Sequence, residues 1–171
     1  MKIKAPLYLL FAGILLTTSC SQEETVNLYS VSFDELDGFT HHGTIKKISF
    51  SHSGNKCVQL NKDNLYGPTY SCLIGDIGSG NFKFLKVTGW VRIETPNAKM
   101  QIVCSVDSAD KTVYWDEVDN RVVNAKPGEW KKLEKTFDLS KVNSQSNKLN
   151  IYPMHDGEGN SYIDDLTFSF E

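Results

Sequence analysis

Hydrophobic and polar residues alternate along short segments of this 171-residue chain, and turn-forming sequences separate the segments. β-Branched and aromatic residues dominate the segments, whereas glycine, proline, asparagine and aspartate dominate the gaps, as in strands joined by turns. No segment shows a sustained helical period. The predicted strands are residues 28–33, 45–50, 56–60, 69–75, 84–94, 99–106, 112–118, 130–137, 147–153 and 161–170.

The alternation also predicts which side of a strand is buried. Met100, Ile102 and Cys104 share one side of their strand, opposite Gln101, Val103 and Ser105. Val87, Val91 and Ile93 likewise oppose Thr88, Trp90 and Arg92. About ten short strands in one chain predict an all-β fold, most simply a two-sheet antiparallel β-sandwich (jelly roll) of about 8–10 strands.

The N-terminus has a different composition from the rest of the chain. Lys2 and Lys4 precede an apolar run over residues 5–16, which is too short to span a bilayer, and small residues then lead to Cys20. This arrangement resembles a bacterial lipoprotein signal in which Cys20 becomes the lipidated first residue. An ordinary cleaved signal with a chance cysteine is the alternative. Residues 21–24 are similar to the short acidic tether of some Bacteroidetes surface lipoproteins.

We therefore expect a signal peptide over residues 1–19, a lipid-anchored tether over 20–27 and a single domain over 28–171. Without the two signal lysines, 16 basic residues face 21 acidic ones, so the mature chain carries a net charge of −5. The basic residues are scattered, which argues against a nucleic-acid partner. Residues 25–171 contain no run of 18 apolar residues, so the lipid anchor is the only predicted membrane attachment.

Three cysteines remain beyond Cys20, and their spacings match no zinc motif. Cys57 and Cys72 flank a stretch, residues 61–69, that could form a hairpin. A disulfide between these two cysteines is therefore left open, while Cys104 lies within its own strand. A framework of several disulfides is excluded by the count.

Four stretches, in order, resemble the jelly-roll carbohydrate-binding modules of the galactose-binding-like superfold. They are His52–Leu60 (HSGNKCVQL), Val87–Arg92 (VTGWVR), Pro127–Leu139 (PGEWKKLEKTFDL) and Tyr162–Leu166 (YIDDL). The resemblance covers residues 28–171 and implies the fold, but it does not imply a ligand. It also implies a structural calcium ion between the first and last strands, held by Asp34, Asp164 and nearby carbonyl groups, because calcium prefers several oxygen ligands. The alternative is that Asp34 is a solvated acid at a strand end and that Asp164 accepts backbone N–H groups.

One acidic segment suggests catalysis. The jelly-roll β-glucanases carry two glutamates in the pattern E-x-D-x-x-E, and Glu117 and Asp119 match its first two acidic positions. Val122 stands where the second glutamate should be, and a retaining glycosidase needs both carboxylates. We therefore expect no enzyme activity.

Aromatic residues outside the predicted core are candidates for sugar stacking. Trp90, Arg92, Tyr114, Trp115 and Tyr66 are the candidate carbohydrate-binding residues, with packing as the alternative role, whereas Trp130 is expected to be a core anchor. If the strands near 88–92, 101–105 and 112–116 share a sheet face, these groups would converge. Trp90 and Arg92 would then lie near Gln101 and Ser105, with Tyr114, Asp116 or Trp115 beside them.

The resulting hypothesis is a monomeric lipoprotein, anchored in a bacterial outer membrane and facing the exterior, that binds glycan without catalysis. The alternative is a structural or protein-interaction accessory lipoprotein whose partner is an envelope protein. A glycoside hydrolase is a distant third. Asp107-Ser108-Ala109 resembles the motif that Bacteroidetes O-glycosylate, which makes Ser108 a candidate modification site.

Overall fold

The computed structural model describes residues 27–31, 33–34, 43–78 and 82–171. Ten strands account for most of this part of the chain. They are β1 (Asn27–Val31), β2 (Ile45–Lys47), β3 (Lys56–Leu60), β4 (Tyr70–Leu73), β5 (Phe84–Ile93), β6 (Ala98–Ser108), β7 (Lys111–Asp119), β8 (Lys131–Asp138), β9 (Lys148–Gly157) and β10 (Ser161–Phe170). Short 3-10 turns lie at Ile74–Asp76 and Asn120–Val123.

The strands form two antiparallel sheets, which confirms the predicted β-sandwich. The six-stranded sheet has the order β2-β3-β10-β5-β8, and β1 also pairs with β10. The four-stranded sheet has the order β4-β9-β6-β7. Consecutive strands often lie in different sheets, so β5 and β6 do not pair although they adjoin in the sequence.

The core lies between the sheets and is built from the apolar sides of the central strands. Val87 and Val91 of β5 and Met100, Ile102 and Cys104 of β6 belong to one buried cluster. The predicted alternation in these two strands is therefore confirmed. Side chains pack tightly over Gly89, since an added Cβ would be 3.3 Å from the tips of both Ile102 and Ile163.

The three cysteines among the described residues are free thiols. Cys57 lies on β3 in the six-stranded sheet and Cys72 on β4 in the four-stranded sheet, so residues 61–69 cross between sheets and form no hairpin between these strands. Burial raises the pKa of Cys57 to about 12, which keeps this thiol protonated. No helix in the described part of the chain is long and apolar enough to cross a membrane. Cys20 lies outside the described residues.

Candidate functional site

The outer face of the four-stranded sheet has an unusual floor. Gln101, Val103 and Ser105 of β6 point away from the core because they alternate with Met100, Ile102 and Cys104. They are nevertheless only 1%, 0% and 6% exposed. Side chains from the neighbouring strands must therefore cover them, and we call the surface over β6, between the side chains of β7 and β9, the groove.

Strand register defines what surrounds this floor. Residues directly opposite one another in antiparallel strands share a sheet face. Three rows cross the groove, namely Asp119–Gln101–Met154–Tyr66, Glu117–Val103–Tyr152 and Trp115–Ser105–Asn150–Ser71. A fourth row pairs Asp107 with Lys148 and Lys148 with Leu73.

Aromatic rings flank the floor on both sides. Trp115 on β7 is 50% exposed, and Tyr66, in the segment before β4, is 54% exposed. The Tyr66 ring contacts that of Tyr152 on β9, with centroids 6.1 Å apart and planes tilted by 60°. Because β6 separates β7 from β9, the strands of Trp115 and Tyr152 are about 10 Å apart at the backbone. Tyr66 lies one strand farther out, beside Met154 of β9.

Two buried polar atoms at the floor lack partners. Gln101 Nε2 and Glu117 Oε2 are both inaccessible to solvent and form no hydrogen bond. The other carboxylate oxygen, Glu117 Oε1, accepts a hydrogen bond from Lys99 Nζ at 2.7 Å. A buried group without a partner costs about 1–3 kcal/mol. A hydroxyl-bearing molecule would supply the missing donor and acceptor if the side chains that cover these two atoms moved aside.

The other polar groups of this face are already engaged. Asn150 Nδ2 donates to Asp107 Oδ2 at 2.9 Å, and Ser71 Oγ donates to Asn150 Oδ1 at 2.7 Å. Arg121 donates to both carboxylate oxygens of Asp119, including Nη2 to Oδ2 at 2.5 Å. Burial acts to raise the pKa of Asp119, but the hydrogen bonds from Arg121 outweigh it and lower the pKa. Asp119 is therefore ionised and structurally engaged.

The candidate residues predicted from sequence do not converge on one face. Trp115 and Tyr66 lie on the outer face of the four-stranded sheet, as described above. Trp90 and Arg92 lie on β5, in the six-stranded sheet on the other side of the molecule. The expected proximity of Trp90 and Arg92 to Gln101 and Ser105 is therefore wrong, because strand pairing assigns β5 and β6 to different sheets.

A loop covers the outer face around Trp90. The His52 ring stacks on Trp90 with centroids 3.9 Å apart and planes within 15°. Arg92 lies 4.6 Å above the Phe50 ring, and Trp130 Nε1 donates to the Phe50 carbonyl at 2.9 Å. Trp130 thus packs on this outer surface and is absent from the core cluster, which corrects its predicted role. Here the aromatic residues hold the loop of residues 48–55 against the sheet.

Tyr114 lies on the opposite side of β7 from Trp115 and packs partly against the core. Burial raises its pKa, and its hydroxyl lies 3.4 Å from Asp116 Oδ2. Asp116 in turn pairs with Lys135 at 2.7 Å. Tyr114 is therefore outside the groove that contains Trp115.

The groove also contains residues that the sequence interpretation missed. Tyr152, Asn150 and Met154 of β9 form its second side, and Lys99 supports Glu117. The signal for the β9 residues was present, since Asn150, Tyr152 and Met154 alternate with the buried Leu149, Ile151 and Pro153. That β9 pairs with β6 depends on the order of strands in the sheet, and the alternation of residues does not predict this order.

The predicted calcium ligands both hold the loop of residues 48–55. Asp164 is fully buried, and its Oδ2 accepts the backbone N–H groups of His52 and Ser53 at 2.9 and 3.1 Å. Asp34 Oδ1 accepts the backbone N–H of Asn55 at 3.2 Å. Gly54 is required beside it, since a Cβ there would be 1.7 Å from Asp34 Oδ2.

The Asp164 contacts match its alternative role as an acceptor of backbone N–H groups, whereas Asp34 binds the loop and is not simply a solvated strand-end acid. The described residues contain no group of three histidine, cysteine, aspartate or glutamate side chains that could hold a metal ion. The backbone N–H donors occupy carboxylate lone pairs that a cation would need, so the donor set as arranged suits a loop clamp better than a calcium cage. Calcium binding stays a prediction.

The fold is similar to those of carbohydrate-binding modules. The CBM22-1 xylan-binding domain of Paenibacillus barcinonensis Xyn10C is 19% identical over 83% of this chain and 92% of its own, with a TM-score of 0.55. A family 16 carbohydrate-binding module is 10% identical over 80% of this chain and 94% of its own, with a TM-score of 0.52. The xylan-binding module CBM15 is 12% identical over 84% of this chain and 95% of its own, with a TM-score of 0.51. No protein-family model matches the chain, and no curated protein matches it in sequence. The chain has the β-sandwich fold of these modules.

Proposed function

We propose that this protein binds a glycan, without catalysis, in the groove on the outer face of the four-stranded sheet. One observation carries the proposal. A buried floor with unpaired Gln101 Nε2 and Glu117 Oε2 lies between two exposed aromatic side chains, Trp115 and Tyr66. Ligand sites typically combine apolar surface with a few convergent polar groups.

The chemistry of the groove suits sugars. A sugar ring has an apolar C–H face and a rim of hydroxyl groups that both donate and accept hydrogen bonds. Trp115 and Tyr66 offer aromatic faces for the apolar side. Gln101 Nε2 is a donor and Glu117 Oε2 an acceptor for the hydroxyls. The fold shared with carbohydrate-binding modules supports the same conclusion.

The acidic residues of the groove support binding rather than hydrolysis. Glu117 is paired with Lys99, and Asp119 is paired with Arg121. Neither carboxylate could serve as both the acid and the nucleophile of a glycosidase. Val122 stands at the third acidic position of the glucanase pattern, where the second glutamate would be, and its side chain is exposed and apolar. A retaining glycosidase needs two carboxylates that flank the scissile bond.

The cellular setting is proposed from the N-terminal sequence. We infer a lipid anchor at Cys20 that holds the domain at the outer face of a bacterial outer membrane, where it meets extracellular glycans. The acidic tether of residues 21–24 agrees with this setting. The anchor itself lies outside the described residues.

The test is a glycan-binding screen of the full-length protein in mild detergent. We expect binding to at least one polysaccharide class and loss of that binding in Trp115→Ala. Binding to no glycan, together with co-purification of one stoichiometric envelope protein that Trp115→Ala abolishes, would favour the protein-interaction alternative instead.

A further inference from the structure

The two unpaired atoms at the groove floor are one hydrogen-bond donor and one acceptor. Gln101 and Glu117 are diagonal neighbours on β6 and β7, because Gln101 faces Asp119 and Glu117 faces Val103. Diagonal pairs of this kind lie about 7–8 Å apart at the backbone, within reach of two long side chains. Gln101 presents a donor and Glu117 presents an acceptor, both buried.

We propose that this pair selects uncharged sugars by binding two neighbouring hydroxyl groups, and that the groove rejects sugars bearing carboxylate or sulfate. This inference rests on the proposed function and specifies its ligand class. One hydroxyl donates to Glu117 Oε2, and the adjacent hydroxyl accepts from Gln101 Nε2. Hydroxyls on neighbouring ring carbons can fill both roles at once.

Rejection of anionic sugars follows from the charges around the floor. Lys99 Nζ is bound to Glu117 at 2.7 Å and lies 3.7 Å from Asp119. The Arg121 guanidinium is bound to Asp119 at 2.5 Å. Both basic groups near the floor are thus paired, and the oxygen without a partner belongs to Glu117. An incoming carboxylate would find no unpaired cation there and would lie beside the Glu117 carboxylate, where repulsion at short range is weakly screened.

Lys148, another basic side chain on this face, is distant from the pair. Lys148 faces Asp107 two rows from Glu117, which is about 13 Å along the strands. It is exposed, and solvent ions screen exposed charges beyond about 8–10 Å. Lys148 therefore cannot balance a charge placed over Gln101 and Glu117.

The experiment compares neutral and acidic polysaccharides on the full-length protein. Affinity electrophoresis and titration calorimetry at pH 7 would use xylan, mixed-linkage β-glucan, mannan and galactan as neutral probes, with polygalacturonate and alginate as acidic probes. The variants are Glu117→Gln and Gln101→Met, and Glu134→Gln, an exposed glutamate on the opposite sheet, is the matched control.

We expect the wild type to bind a neutral polymer and neither acidic one. Glu117→Gln should weaken neutral binding about 5- to 10-fold, because an ionised acceptor is replaced by a neutral one. It should also begin to bind a uronate polymer, since Lys99 and Arg121 would then face only the one carboxylate of Asp119. Gln101→Met should weaken neutral binding by a similar factor, and Glu134→Gln should change neither.

Each contrary result has a distinct meaning. Preference of the wild type for a uronate polymer would overturn the inference and leave the proposed glycan binding intact. Identical binding by Glu117→Gln, Gln101→Met and Glu134→Gln would overturn it as well. Binding to no glycan at all would reject the proposed function and the inference together. The wild-type comparison needs no variant, so it decides even if a substitution impairs folding.

Discussion

Two tryptophans on outer sheet faces should respond in opposite ways to truncation. Trp115 is half exposed and borders the groove, whereas Trp90 lies beneath His52 in a ring stack with centroids 3.9 Å apart. Trp115→Ala is expected to remove glycan affinity and preserve the fold. Trp90→Ala is expected to loosen the loop of residues 48–55 and preserve glycan affinity.

The magnitudes follow from exposure. Stacking on an aromatic side chain is worth about 1–3 kcal/mol per ring by analogy with nucleobases, so Trp115→Ala should weaken binding about 5- to 150-fold. Its cost in unfolding free energy should stay below about 1 kcal/mol, since the ring is already half in water. Tryptophan truncation in a core costs about 3–5 kcal/mol, and half-buried Trp90 should therefore lose about 2 kcal/mol.

The assay pairs calorimetric titration with urea unfolding on both variants. A loss of about 2 kcal/mol corresponds to a Tm about 4–8 °C lower for a chain of this size. Equal losses of stability in both variants would show that Trp115 is a packing residue and would refute the assignment of the groove. Loss of glycan binding in Trp90→Ala with a native melting curve would show that the binding site lies on the six-stranded sheet, and it would refute the groove as the site.

Three further predictions concern other parts of the chain. Cys20→Ala should release the protein from the membrane fraction, and an unmodified Cys20 in the intact mass of the wild type would refute lipidation. Burial raises the pKa of Asp164 to about 6, above its usual 3.8, so its contribution to stability should be full below about pH 4 and lost as the pH rises through 6. Urea unfolding across pH 4–7 should show this loss in the wild type but not in Asp164→Asn, whereas a Tm lowered by EDTA at pH 7 would show that calcium holds the ionised carboxylate. Peptide mass spectrometry should find a glycan on Ser108, which is exposed at the turn between β6 and β7, and Ser108→Ala should remove it.

The strands were predictable because their determinants are local. Alternation in β6 assigned Met100, Ile102 and Cys104 to the core and Gln101 and Ser105 to the outer face, and the structure agrees. Alternation alone cannot say which sheet a strand joins. In a jelly roll the chain crosses between sheets, so β5 and β6 separate although only four residues lie between them.

The difference between Trp90 and Trp115 has a similar origin. Both lie on outer faces, and in both strands the local alternation predicts only that the tryptophan points away from the core. Trp90 becomes a packing residue because Asp164 and Asp165 bind His52 and Ser53 from more than a hundred residues away. A positive φ of 48° at Asp165, within a register shift of β10, turns these adjacent carboxylates toward the loop.

The same clamp distinguishes the two outer sheet faces. The loop of residues 48–55 packs its rings over the outer face of the six-stranded sheet, although Arg92 Nε on that face is also buried and without a partner. On the four-stranded sheet, Gln101 Nε2 and Glu117 Oε2 are buried and unpaired. Two unpaired polar groups cost stability that a purely structural sheet could avoid with apolar residues of similar size. Because two exposed aromatic rings border the same face, the proposed glycan would complete it at these two atoms.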